Sequence, residues 1–430
     1  MDNGREQRGL EIAAKAKLQR DGDRWFVPSQ SGGGTNHGGK YIVKPDVSNP
    51  HCTCPDHELG QHKCKHIFAV EFTIRREYSN DGETQTLTET VSVKKTYRQD
   101  WPAYNKAQTQ EKDQFQTLLH DLCQGIGSPS QKMGRPRLSL EDMIFSAAFK
   151  VYSTISGRRI MSDLRDAHAK GHISKLPCYN SIFNYFEDET LTPHLQMLIE
   201  ESSLPLTAIE SDFAVDSSGF STSRFLQWAE AKYRNPALMN KREWVKVHLM
   251  CGVKTNIVTA VEITDRYAAD CPQFKQLVDA TAKNFVMQEV SADKAYLSAA
   301  NLQTVVDHAA MPYIPFKTNS ASQWGLSGPR GYDQKAKWER KSTLWRRMFH
   351  YFNYNQDWFM QQYHKRSNVE STFSMIKAKF GDGLRSRTKT AQINEALCKI
   401  LCHNLCCLIQ SMYELNIKPE FWAEQTSFQG

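Results

Sequence analysis

At 430 residues the chain is long enough for two or three domains with at least one large core. A hydrophobic share of 40% with 23% charged residues excludes a disordered or fibrous chain, and no apolar run approaches the roughly 20 residues of a membrane span. The formal net charge of +7 leans mildly toward a polyanionic partner. MDNGREQRGLEIAAKAK at the N-terminus lacks a signal peptide's apolar core, so a cytoplasmic protein is expected. Three of the eleven cysteines share one short stretch with a histidine, which suits metal binding in a reducing compartment better than a disulfide framework.

Near the N-terminus, WFVPSQ and KYIVKP read as short strands joined by the Gly-rich turn SGGGTNHGG. Cys52, Cys54, Cys64 and His66 follow as C-x-C, a nine-residue loop and C-x-H. Three thiolates and an imidazole make a closed tetrahedral set, which suits structural zinc and leaves no open position for catalysis. IFAV after His66 starts a helix over the metal, while His51, His57 and His62 read as solvated loop residues. The segment resembles a SWIM zinc finger, a likeness that implies DNA or protein binding without choosing between them. From Phe72 to Arg98 apolar and polar residues alternate around Asn80-Asp81-Gly82, the pattern of a β-hairpin. The first module is therefore expected over 1–100.

Helical periodicity dominates residues 101–205, in EKDQFQTLLHDLCQGI, SLEDMIFSAAFKVYSTI, RIMSDLRDAHAKG and YNSIFNYFED. Ser139 with Glu141 and Asp142 supplies a helix start, and Gly125, Gly127 and Gly157 supply stops. Between the first two helices lies the basic loop QKMGRPR. Its Arg135 and Arg137 read either as a minor-groove insertion, favoured by the negative potential of a narrow A·T-rich groove, or as a solvated linker.

Phe213, Ala214 and Val215 then form a short apolar strand ending at Asp216. EWVKVHLMCGVKTNIVTAVEIT reads as two strands around Lys254-Thr255-Asn256, CPQFKQLVDATAKNF as an amphipathic helix, VMQEVSADKAY as a strand ending at Asp293, SAANLQTVVDHAA as a helix and MPYIPFK as a strand. Three antiparallel strands followed by helix, strand, helix and strand is the order of a ribonuclease H-like α/β fold.

In YHKRSNVESTFSMIK, Tyr363, Arg366, Glu370 and Lys377 fall at offsets that share one face of an α-helix. This resembles the Tyr-Arg-Glu-Lys signature of bacterial DDE insertion-sequence transposases. The resemblance covers about residues 110–415 and implies that Asp216, Asp293 and Glu370 are the metal-binding catalytic carboxylates. Ligands of open α/β sheets gather at the carboxyl ends of strands, where these three can meet. Carboxylates converging away from water repel one another unless a divalent cation joins them, and hard oxygen ligands select Mg²⁺, or Mn²⁺ as a substitute. Two ions about 4 Å apart activate a nucleophile on one side of a phosphodiester and stabilise the leaving oxygen on the other. The implied activity is cleavage and joining of the ends of the protein's own mobile element, with double-stranded DNA as partner, a homodimer pairing two ends, and a nucleoid-associated cytoplasmic location.

Tyr363, Arg366 and Lys377 read as DNA-phosphate contacts or as exposed pairs on the helix. YNSIFNYF reads as a recognition helix or a packing helix. Lys317 to Arg347 hold eight basic residues and two acidic ones, interleaved with Trp324, Trp338 and Trp345. Trp324 is the candidate for stacking an unpaired base, the other reading being core packing. The catalytic core is expected over 206–415 with this basic insertion at about 317–360, and a tail over 416–430. LRSRTKT should face DNA, and the long helix after it carries Cys398, Cys402 and Cys406 as a small hydrophobic stripe rather than a metal site. Two other functions compete: a catalytically inactive, transposase-derived DNA-binding protein, and a zinc-dependent protein-interaction module on a degenerate core. A dead core has no chemical need for all three acidic residues.

Overall fold

The computed structural model describes residues 3–16, 18–29, 40–46, 49–60, 62–78, 100–127, 137–222, 243–317 and 341–422. The chain divides into two compact units, residues 1–97 and 98–430. In the first, strands β1 (Gln19–Asp21), β2 (Arg24–Pro28), β3 (Lys40–Lys44) and β4 (His51–Cys52) form an antiparallel sheet in sequential order. Alternation along β2 turns Trp25 and Val27 inward, where they meet Val43, Ile67, Val70 and the buried cysteines. Helix α1 (Asn3–Lys15) lies against α3 (Lys65–Tyr78), with the short α2 (Pro55–Gly60) between β4 and α3 in sequence. A Cβ on Gly9 would lie 2.5 Å from Phe68 Cβ, so glycine permits this close approach.

Two sequence expectations change here. Phe72 to Tyr78 continue helix α3 instead of starting a hairpin, because docking against α1 outweighs the alternation of a short segment. The remainder of the expected hairpin lies outside the described residues. His57 is buried, with Nδ1 2.7 Å from the His62 carbonyl oxygen, rather than solvated.

The second unit opens with α4 (Trp101–Cys123), α5 (Leu140–Tyr152), α6 (Ile160–Ala169), α7 (Tyr179–Phe186) and α8 (Leu191–Ser203). Asp100 caps α4 by accepting from Ala103 N, and Ser139 caps α5 by accepting from Asp142 N. Buried Asp142 in turn accepts from Ser174 N, Ser174 Oγ and Lys175 N, fixing the approach to α7. After α8 come β5 (Asp212–Ser221), β6 (Trp244–Gly252), β7 (Val258–Thr264), α9 (Phe274–Ala282), β8 (Glu289–Ala292), α10 (Ala299–Asp307) and β9 (Met311–Tyr313). The sheet order is β7-β6-β5-β8-β9, with β5–β6 and β6–β7 antiparallel and β5–β8 and β8–β9 parallel. This mixed sheet is consistent with the expected ribonuclease H-like core. Helices α11 (Thr343–Tyr354), α12 (Gln356–Tyr363), α13 (Ser367–Phe380) and α14 (Lys389–Glu414) complete the unit.

One sheet face buries Phe213, Val215, Met250 and Val290 with α9 and α10; the other buries Ala214, Phe220, Val247 and Leu249 with α13 and α14. Trp345 packs in the first of these cores, 5.0 Å between ring centroids from Phe316, instead of offering its face for stacking. Strand β5 does not end at Asp216: its pairing with β8 stops at Val215–Ala292, but its pairing with β6 runs on to Ser221–Trp244.

Helix α14 is apolar and long enough to cross a bilayer by composition, yet 78% of its most apolar stretch is buried in the protein. Cys398 and Cys402 pack in its core face, and His403 is bonded to the Asn256 carbonyl oxygen at 2.9 Å. Asn404 mimics a neighbouring strand for edge strand β7: Oδ1 accepts from Val258 N at 2.9 Å and Nδ2 donates to Val258 O at 2.7 Å. Its Nδ2 also reaches Ile199 O and Ser202 Oγ, so one buried amide joins α14, α8 and the sheet. Asn404→Leu strands that edge without partners and is expected to lower the unfolding free energy of this unit by about 3 kcal/mol in urea titration. An unchanged midpoint would remove the amide from the account of how helices and sheet are joined.

Candidate active site and metal centre

Asp216 and Asp293 each stand one residue beyond Val215–Ala292, the last pair in the parallel register of β5 and β8. Alternation turns both away from the Val215 and Ala292 side and toward the face covered by α13. Asp216 Oδ1 accepts from Ser217 N at 2.8 Å, and Asp293 Oδ1 accepts from Lys294 N at 2.7 Å, capping the short 3₁₀ turn Lys294–Tyr296. Each carboxylate is thereby held by the backbone immediately following it.

Glu370 lies in the first turn of α13. The expected single helix face is interrupted, because a 3₁₀ turn at His364–Arg366 separates Tyr363, the last residue of α12, from Glu370 and Lys377 on α13. The tighter turn places Arg366 between two acids. Its Nη1 donates to Asp216 Oδ2 at 2.7 Å and its Nη2 to Glu370 Oε1, while the Tyr363 ring lies 5.8 Å from its Cζ. Lys377 turns inward, donating to Ser218 Oγ at 2.7 Å between the rings of Phe220 and Phe373. Burial lowers its pKa, partly offset by Asp382.

Asp216 is influenced by Ser217, Arg366, Asp293 and Glu370. Burial first, with the charges of Asp293 and Glu370, raises its carboxyl above the usual range, against the opposing pull of Ser217 N and Arg366. Three hard carboxylate donors with mutual repulsion fit a divalent cation. Their oxygens are not gathered within 4.8 Å of one another, and the Arg366 fork lies between Asp216 and Glu370.

Sequence reasoning passed over Lys365, which bridges Asp212 at 2.8 Å and Glu289 at 2.5 Å and so clamps the starts of β5 and β8. It also passed over Asp270, which receives Lys246, on β6, at 2.7 Å. Lys246 and His248 share a strand face by period two, a signal available in the sequence; Asp270 comes from a loop and had none. Arg137 is exposed and lines a cleft of about 720 Å³ with Lys175, Asn184 and Tyr185. Trp324, Trp338 and Arg135 lie outside the described residues.

In the N-terminal unit, Cys52, Cys54, Cys64 and His66 are all buried, with one ligand atom from each mutually within 4.8 Å. His66 Nδ1 lies 3.8 Å from Cys52 Sγ and 3.9 Å from Cys64 Sγ, close to the edge length of a tetrahedron around zinc. Cys64 immediately precedes α3, whose N-terminal dipole favours a thiolate. The Cys3His group fits structural zinc.

Two outcomes are expected. Chelation should unfold the first unit while residues 98–430 keep their protection from proteolysis; stoichiometric zinc by elemental analysis must accompany the folded state, and a chelator-resistant first unit would refute the dependence. At the acidic trio, a folded carboxyl that holds its proton more tightly contributes stability below its unfolded pKa, lost as pH rises through the folded one. Asp216→Asn is therefore expected to raise the melting midpoint by a few degrees near pH 7 without divalent cations. A fall would mean that the Arg366 pair outweighs burial.

None of the curated proteins and none of the solved structures matches this chain. Residues 208–405 match the family model for the transposase DDE domain, and that match, spanning the mixed sheet and all three carboxylates, supports a DDE transposase.

Proposed function

We propose that the chain is an active DNA transposase that cuts and joins the ends of its own mobile element, with Asp216, Asp293 and Glu370 as its catalytic carboxylates. The observation that carries the reading is the parallel register: Asp216 and Asp293 leave adjacent strands side by side, and Arg366 ties Glu370 to the same place. The three carboxylates would hold Mg²⁺ or Mn²⁺, which supplies Lewis-acid activation of the attacking oxygen and charge for the leaving one. Water first attacks the phosphodiester at the element end and frees a 3′-hydroxyl. That hydroxyl then attacks a target phosphodiester, forming one P–O bond as another breaks.

Tyr363, Arg366 and Lys377 contact backbone phosphate in this reading. Arg366 exchanges one carboxylate for a phosphate oxygen that its fork fits equally well, and Lys377 exchanges Ser218. Helix α7 buries Ile182 and Phe186 and exposes Asn180, Phe183 and Asn184. Arg137 and Lys175 stand on one flank and Arg385 and Arg387 on the other, the arrangement of a groove-reading helix between phosphate contacts. Lys399 fixes the Arg385 loop by donating to Gly381 O and Gly383 O, both at 2.8 Å. The SWIM-like zinc module adds a second recognition element, and two ends are cut together within a homodimer.

The test is excision of the gene's native flanking DNA from a plasmid, with repaired junctions sequenced. Wild type is expected to excise it. Glu370→Gln should lose excision by at least a hundredfold while binding the ends within about twofold, as expected when a group acts in the transition state rather than in binding. Equal loss of both would make Glu370 structural, and excision by Glu370→Gln would end the catalytic assignment.

A further inference from the structure

The face of the sheet opposite the acidic trio carries a polar cluster in an otherwise apolar layer. Ser217 is the next residue after Asp216 and points to the other side of β5, continuing the row of Phe213 and Val215. Its Oγ donates to Asp270 Oδ1 at 2.8 Å. Lys246 Nζ reaches the same Asp270 oxygen at 2.7 Å, and Nδ1 of fully buried His248 stands 3.4 Å away without hydrogen-bond alignment. His248 lies directly across the β5–β6 ladder from Ser217, and its Nε2 lies 2.9 Å from Thr264 Oγ1.

The loop that carries Asp270 is fixed as well. Buried Asn301, in α10, donates through Nδ2 to Cys271 O at 3.0 Å and to Tyr296 O at 2.8 Å. Cys271 follows Asp270, and Tyr296 closes the turn that begins at Asp293. One cluster thus touches the residue after Asp216 on one side and the turn after Asp293 on the other.

This placement answers a mechanical need. Beyond Val215, β5 loses its parallel neighbour and is paired by β6 alone until Ser221 meets the segment Asp382–Leu384. Asp216 sits at the start of that half-paired stretch, with Oδ1 held by the amide of Ser217 and Oδ2 by Arg366. We propose that Asp270 is a positioning residue that acts through Ser217: holding the hydroxyl from behind the sheet fixes the Ser217 amide, which aims the Asp216 carboxylate at the cation site. The inference rests on the reading of Asp216 as a ligand. Groups that orient a metal ligand typically change affinity or activity by 10–100-fold when removed, and here the orienting amide belongs to the residue whose hydroxyl Asp270 holds.

The experiment is Mn²⁺ binding to the full-length, zinc-loaded protein, followed by electron paramagnetic resonance, with unfolding midpoints in parallel. Ser217→Ala is expected to weaken Mn²⁺ binding at least tenfold with little change in midpoint, and Ser217→Thr, which restores the hydroxyl, to recover it. Asp270→Asn keeps an acceptor for Ser217 and should weaken binding less than Ser217→Ala; the double variant should bind like Ser217→Ala, since both changes cut one link. If Asp216→Asn loses Mn²⁺ but Ser217→Ala binds as wild type, the positioning role is overturned and the catalytic reading stands. Equal loss in Ser217→Thr and Ser217→Ala overturns it too, because the hydroxyl would not be the cause. If Asp216→Asn itself binds Mn²⁺ normally, Asp216 is no ligand, and both readings fall.

Discussion

Like charges gathered at the end of a sheet must be offset by opposite charge, and in this fold the Arg366 guanidinium supplies it. Its fork spans Asp216 and Glu370, which come from a strand and a helix far apart in sequence. The 3₁₀ turn at His364–Arg366 matters for the same reason. A regular helix would leave Tyr363, Arg366 and Glu370 on one straight face, whereas the tighter turn carries Arg366 in beside β5. Lys365, in the same turn, faces Asp212 and Glu289 instead. Two successive basic residues thus tie β5 to β8 at the start of the pair and β5 to α13 at its end.

The sheet then has two kinds of face at one point in its register. Even-numbered residues of β5 carry Asp216 and Ser218 toward α13, where they meet Arg366 and Lys377. Odd-numbered ones carry Phe213, Val215 and Ser217 toward α9 and α10, where apolar packing gives way at Ser217 to the Asp270 cluster. The alternation of a strand separates chemistry from support by a single residue. Helix α14 performs the equivalent task at the other edge, with Asn404 covering β7 and Lys399 fixing the Arg385 loop. The basic loop is consequently held by the same buried helix that supports the sheet.

The first unit solves a different problem. Its apolar cluster is small, and three of its members are cysteines, so burial alone leaves little stabilisation, and the Cys3His group is suited to a metal that would add to it. Its ligands come from the end of β4, the bend before α2 and the start of α3. One cation can therefore fasten strand to helix where side-chain packing is thin.

Much of this was legible in the sequence because it is local. The Cys3His spacing, the antiparallel trio followed by helix, strand, helix and strand, the caps at Ser139 and the burial of α14 all follow from neighbouring residues and their periodicity. Local pattern misjudged Phe72–Tyr78, where docking against α1 decided for helix, and it grouped Trp345 with the basic residues around it although its ring fills a core. It also ended β5 at Asp216, since strand length is set by what pairs alongside and β6 continues where β8 stops. The meeting of Ser217 with Asp270, of Lys365 with Glu289 and of Arg366 with Asp216 was decided by tertiary structure alone. Such contacts span 53, 76 and 150 residues, and no periodicity within an element can encode a distance created by strand pairing and helix docking.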